Sequence, residues 1–243
     1  MQNSARLMET PQELPVSHLE TLNWSASHAQ ERRKRLRTRA RLLAACARIL
    51  AAKGYVGLRV AEIATEAQMS PGAFYVYFLD REEAAREVLC GLIRRLYFFD
   101  PPTAPRAGVQ SFVTMIRWHL EALQNDAPLV RALCEGVLFD EVLSNLHASA
   151  MGIWRARLGA ALVGGAEVDT AIEAEPAPDV LDFIIEGMAQ RAGAPLLTSA
   201  GLSRMATEVA RAWLATQPNL MDGARGARTQ GVPVLRAVET RPA

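Results

Sequence analysis

The run Ser70-Pro71-Gly72-Ala73-Phe74-Tyr75-Val76-Tyr77-Phe78 has the residue types and spacing to do chemistry. Serine followed by proline is a favourable helix start. The hydroxyl caps a free amide, and proline at the first helical position sacrifices no hydrogen bond. Gly72 and Ala73 keep the front of that helix small, so its backbone can approach another surface. The phenols of Tyr75 and Tyr77 can donate to phosphate oxygens, while Phe74 and Phe78 can fill a small core beneath. A short helix is expected just before it, over 60–67, with Ile63 and Ala67 facing inward. Two short helices at a tight turn make a helix-turn-helix pattern. The first crosses the backbone of duplex DNA and holds the second in the major groove, about 12 Å wide, where base edges carry sequence. The pattern by itself is weak, since many helical proteins contain such a corner.

The charge distribution strengthens it. The 243 residues carry a net charge of only +1, yet residues 31–95 hold 14 Lys and Arg against 7 Asp and Glu, and residues 96–220 hold 8 against 14. A basic block followed by an acidic one argues for a polyanion-binding module joined to a part with another task. Seven cations, Arg32, Arg33, Lys34, Arg35, Arg37, Arg39 and Arg41, stand directly before the helix pair. They read as an arm toward the DNA backbone or minor groove.

The elements that must position these residues are helical. Apolar residues recur at spacings of three and four, and β-branched alternation is absent. A first long helix is expected from Glu31 or Arg35 to Lys53, closed by Gly54. The third helix of the head ends by Phe78, and Asp80-Arg81-Glu82-Glu83 opens a fourth, to about Phe98. The proline-rich stretch 100–105 separates the basic part from the acidic part. The expected division is a disordered tail over 1–30, a DNA-binding head with its linking fourth helix over 31–99, a helical body over 106–217, and a flexible tail over 218–243. The fold class is all-α.

Other classes are set aside. No apolar stretch approaches the roughly 18 residues of a membrane-spanning helix, and the first residues lack the apolar core of a secretory signal. Cys46, Cys90 and Cys134 are odd in number and far apart, which reads as a reduced, cytoplasmic protein without a metal site. The nucleophile elbow, the His-Glu-x-x-His pair and the glycine-rich phosphate loops are missing, and Asp140-Glu141 point to different sides of a helix. An enzyme is not expected, nor a cofactor.

At Lys53-Gly54-Tyr55, Val60-Ala61-Glu62-Ile63-Ala64, Met69 through Phe78, and Arg81-Glu82-Glu83, the chain resembles the N-terminal domain of TetR-family transcriptional regulators, over about 42–89. The resemblance implies an all-helical homodimer that binds double-stranded operator DNA and answers to a small-molecule effector, usually as a repressor. The head residues that carry this expectation are Arg37, Arg59, Ser70, Pro71, Gly72, Ala73, Tyr75, Val76, Tyr77 and Arg81. Three positions depart from the family. Leu58-Arg59 stand where a capping Thr or Ser is usual, Gln68 occupies the turn where glycine is common, and Ala73 and Val76 replace polar residues. Base reading then leans on thymine methyls, on Arg59 or on DNA shape.

In the body, Phe112, Met115, Trp118 and His119 share helical spacing, and Cys134, Phe139, Met151 and Trp154 follow. An apolar pocket lined by aromatic and Met side chains with a few polar groups would suit a small, largely apolar effector. His119 has no Cys, His or Asp one turn away to complete a metal site. Two last long helices are expected over 179–191 and 201–217. Their stripes, Val180, Phe183, Ile184, Met188 and Leu202, Met205, Val209, Trp213, are expected at a two-fold interface. The alternatives are a helical protein-interaction module without specific DNA binding, and an activator.

Overall fold

A computed structural model of the chain describes residues 17–27, 34–98, 108–163, 187 and 197–215. Every regular element among them is a helix: α1 His18–Ser27, α2 Lys34–Lys53, α3 Val60–Glu66, α4 Pro71–Phe74, α5 Arg81–Phe98, α6 Val109–Asn125, α7 Ala127–Phe139, α8 Glu141–Val163 and α9 Ser199–Ala215.

The ends of these helices follow from local chemistry. Gly54 closes α2 with φ +74°, a conformation glycine adopts at no steric cost, and its N–H reaches the Leu50 carbonyl at 2.9 Å. The Asp80 carboxylate accepts from the Glu83 amide at 2.6 Å while Glu83 reaches back to the Leu79 amide, the reciprocal cap expected for α5. Asp140 caps α8 by accepting from the amides of Val142 and Leu143 at 3.0 and 3.2 Å.

α5 is the axis of the molecule. It packs against α2 on the head side and against α6, α7 and α8 on the body side, and one continuous apolar core runs through both. Val88, Leu89, Leu92, Ile93, Leu96 and Tyr97 on this helix are all almost fully buried. Burial of each such side chain is worth about 1.5–3 kcal/mol. The stretch 100–105, the tail 218–243, residues 1–16 and 28–33 lie outside the described residues.

The expected tail over 1–30 holds a helix. Ser17 and Glu20 form a reciprocal cap at 3.0 and 3.1 Å, and Leu19 and Leu22 pack on the core. The His18 amide donates to Asp126 at 2.6 Å, and its ring bonds the Val88 carbonyl at 2.9 Å. That ring rests where a Cβ on Gly91 would stand, 2.6 Å away, so α5 carries glycine there. Burial lowers the pKa of His18, against the pull of the Val88 carbonyl. Asp126 also pairs with Arg95 at 2.8 Å. α1 therefore starts on the body and runs along α2 toward the helix-turn-helix, where Asn23 bonds Arg48.

In the body, Leu202 and Val209 are buried, and Met205 is partly so, against α6 and the core of the same chain. Phe139, the last residue of α7, is 69% exposed. Val180, Phe183, Ile184, Met188 and the side chain of Trp213 lie outside the described residues.

Candidate nucleic-acid interface

The turn between α3 and α4 is built from backbone hydrogen bonds. The Gln68 amide reaches the Thr65 carbonyl at 2.9 Å, and the Met69 amide reaches the Ala64 carbonyl at 2.8 Å. This crossed pair is a Schellman motif, which demands a left-handed residue just after the helix. Gln68 supplies it with φ 57°. A non-glycine residue there costs about 1 kcal/mol. The Arg41 guanidinium adds a bond to the Ala67 carbonyl at 2.9 Å. At the other end of α3, Arg59 is the N-cap and makes no side-chain cap, as the missing Ser or Thr implies.

α4 begins as expected. Ser70 caps it, its oxygen accepting from the Ala73 amide at 3.3 Å, with Pro71 in the first turn. The helical part is one turn long, and residues 75–77 continue as turns. Phe74 and Phe78 are buried with ring centroids 5.4 Å apart. Arg39 lies over the Phe78 ring at 5.0 Å and forms a bidentate ion pair with Glu87 of α5. The recognition segment is thereby pinned to α2 and α5 from behind.

Its front is open. Tyr75 is 59% exposed, Val76 63% and Leu79 81%, and Ser70, Pro71 and Gly72 are exposed with them. A Cβ on Gly72 would meet nothing within 4 Å, so the fold itself does not require glycine there. Tyr77 and Ala73 are half-buried, and Tyr77 packs on the core.

The cations sort into two groups. Arg39 and Arg41, expected in the basic arm, are engaged within the head. So is Arg59, which bonds the Val56 and Leu58 carbonyls at 2.9 and 3.0 Å. Arg81 bonds the Leu58 carbonyl at 2.6 Å and Glu82 at 2.7 Å. On α3, Glu62 and Glu66 are paired with Lys53 and Arg48, so the acidic side chains of this helix are offset by α2. Lys34 and Arg35 are exposed at the start of α2, Arg37 is half-buried, and Arg32 and Arg33 lie outside the described residues.

Sequence reading missed Leu79, Glu135 and α1. Leu79 follows Phe78 and reads as more core, and only the turn after α4 puts it outside. Glu135 sits on α7, 80 positions from the Tyr55 amide whose N–H it accepts at 2.8 Å. The Ser17-x-x-Glu20 cap followed by Leu22 was the available signal for α1.

The body candidates come together in part. Phe112, Met115, His119, Met151 and Trp154 are buried in one core, with His119 and Trp154 rings 4.2 Å apart. Tyr97 of α5 joins them, 5.3 Å from His119, and its hydroxyl meets His147 at 2.9 Å. Trp118 and Cys134 are half-buried. Among the described residues no group of His, Cys, Asp or Glu is arranged to hold a metal ion, and no helix is long and apolar enough to cross a membrane.

Residues 42–88 match the model of a family described as bacterial regulatory proteins, tetR family. No curated protein matches the chain. Three solved structures resemble it. One, from Rhodococcus sp., is described as a TetR-family transcriptional regulator and is 19% identical, with 72% of this chain and 98% of that one covered, TM-score 0.55. Another of the same description, from Mesorhizobium loti, is 18% identical, with coverage of 76% and 98% and TM-score 0.55. A transcriptional regulator from Pseudomonas aeruginosa PAO1 is 19% identical, with coverage of 83% and 97% and TM-score 0.56. At this identity the three speak for the fold, and the matched segment is the one that holds the helix-turn-helix. Residues 42–88 thus match the tetR-family head, and the all-helical fold is like that of the three solved regulators.

Proposed function

We propose that this regulator is a homodimeric repressor that leaves a pseudo-palindromic operator when a small, largely apolar molecule enters its body. The observation that carries the DNA-binding half is the exposed face of Tyr75, Val76 and Leu79 on a segment pinned from behind by Phe74, Phe78 and Arg39. Small and apolar residues at the front leave base reading to thymine methyls and to DNA shape, while Ser70, Tyr75 and the exposed cations of α2 meet phosphates. In a two-fold dimer the recognition segments enter successive major grooves about 34–36 Å apart.

The proposed division is a head over 31–99 and an effector and dimerisation body over 106–217. The buried group of Phe112, Met115, His119, Met151 and Trp154 supports the effector half. It touches α5 through Tyr97, and α5 also carries the head. An effector that favours a shifted α5 changes the separation of the two heads, with coupling typically of about 1–3 kcal/mol.

The test is selection of genomic fragments by the purified protein, followed by binding to the enriched duplex across a salt series and sedimentation of the free protein. Enrichment of an inverted repeat by a dimer, with steep salt dependence, supports the reading. Equal affinity for all duplexes points to a helical interaction module instead. Reporter expression that rises with the protein present points to an activator.

A further inference from the structure

We propose that the effector carries a neutral hydrogen-bond donor, a phenol-like hydroxyl on a flat apolar body, and delivers it to Nε2 of His119; this rests on the reading of the body as an effector site. His119 is 2% exposed, and its Nδ1 lies 3.0 Å from the Leu96 carbonyl oxygen. A carbonyl can only accept, so Nδ1 carries the proton. Burial holds the ring neutral, with its pKa pushed down to about 4. Nε2 is therefore a bare lone pair, turned away from the α5 carbonyl by the geometry of the ring.

That lone pair is buried and has no hydrogen-bond partner among the described residues. Buried acceptors are normally satisfied, and one that is not marks a place for a donor. The neighbouring hydroxyl does not serve, because Tyr97 is engaged with His147 at 2.9 Å. The surroundings are aromatic. Trp154 stacks on His119 at 4.2 Å with a 31° tilt, and Tyr97 stands 5.3 Å away. A flat ring suits these faces. A carboxylate or phosphate does not, since it would meet a lone pair rather than a proton. A hydrocarbon without a donor leaves Nε2 as it is. Trp154 belongs to α8 and the Leu96 carbonyl to α5, so a donor seated at His119 lies between these two helices.

The experiment uses the full-length protein and three matched probes: 1-naphthol, 1-methoxynaphthalene, which has the same body without the donor, and 1-naphthoate, an anion. Calorimetry measures affinity, and the imidazole nitrogens are followed by NMR on 15N-labelled protein. The expected result is that 1-naphthol binds at least tenfold more tightly than the other two. Its addition moves the Nε2 resonance of His119 in the direction of an accepted hydrogen bond, and the tenfold gap closes in His119→Phe. If that variant fails to fold, the wild-type resonance decides. Equal binding of 1-naphthol and 1-methoxynaphthalene with Nε2 unmoved overturns the donor proposal while the effector site stands. A free protein whose Nε2 already shows an accepted bond, unchanged by 1-naphthol, assigns the position to a buried water and overturns it as well. If no probe perturbs either His119 or Trp154, both the proposal and the effector site fall.

Discussion

The Tyr55 hydroxyl donates to the Asp140 carboxylate at 2.8 Å, across 85 positions of sequence. Tyr55 follows the turn that ends α2, and Asp140 joins α7 to α8, so this bond ties the head to the body. Arg86 of α5 bonds the same carboxylate oxygen at 2.7 Å. Beside it, the Glu135 carboxylate accepts the Tyr55 amide and occupies the place a Cβ on Gly54 would need. Removing the hydroxyl in Tyr55→Phe leaves Asp140 with Arg86 and two amides. The expected loss is about 1 kcal/mol in urea unfolding. Burial works against the Asp140 charge, but the bonds from Arg86 and Tyr55 outweigh it and hold its pKa below the usual value. A depressed carboxylate contributes stability above its unfolded pKa and loses it as pH falls through the folded one. The Tyr55→Phe deficit should accordingly shrink below about pH 4. An unchanged deficit at pH 3 counts against the account.

Gly72 separates the demands of fold from those of DNA. Gly72→Ala meets open space. It should leave stability unchanged or raise it by about 0.5–1 kcal/mol. Operator affinity should fall, because the added methyl stands between α4 and the groove. Equal operator binding by variant and wild type would show that the backbone does not approach DNA there.

Gln68 in the left-handed turn invites the reverse. Gln68→Gly removes a steric cost of about 1 kcal/mol, partly offset by the entropy of glycine in the unfolded chain. The melting temperature should rise by a few degrees with operator selectivity unchanged. A lower melting temperature would mean that the Gln68 side chain makes a compensating contact.

The cations of α2 should fall into two classes by salt titration. Lys34 and Arg35 are exposed, and changing both to Ala should flatten the slope of log K against log salt by up to about two units, at about 0.9 per lost phosphate contact. Arg39 holds Glu87 and covers Phe78. Arg39→Ala should cost about 1 kcal/mol of stability and leave the slope alone. The opposite assignment of effects would place Arg39 on the DNA.

His119 supplies the clearest pH signature. Its folded pKa, about 4, lies below its unfolded value of 6.5. As pH falls from 6.5 toward 4 the unfolded chain gains a proton the folded chain refuses, so stability drops across that window and levels off below it. The drop amounts to at most about 3 kcal/mol. His119→Phe should flatten the stability curve relative to wild type between these pH values. Parallel curves would show that His119 protonates freely in the folded protein.

Local chemistry alone determined the elements around the head. Ser70-Pro71, Asp80 with Glu83, and Gly54 are end signals that act within four residues, so the end of α2 and the starts of α4 and α5 are legible without knowledge of the rest. The buried pair Phe74 and Phe78 was equally plain from one turn of helix. Tertiary structure decided what depends on a distant partner. Leu202 and Val209 make the same apolar stripe whether they face α6 or a second chain, and the sequence alone does not show that they pack on α6. Phe139 shares the apolar character of the core, but the packing of α7 leaves it exposed. Arg39 and Arg41 carry the same charge as Lys34 and Arg35. They are withdrawn from solvent-facing duty because Glu87 and the Ala67 carbonyl, tens of residues away, come within hydrogen-bond reach once the chain is folded.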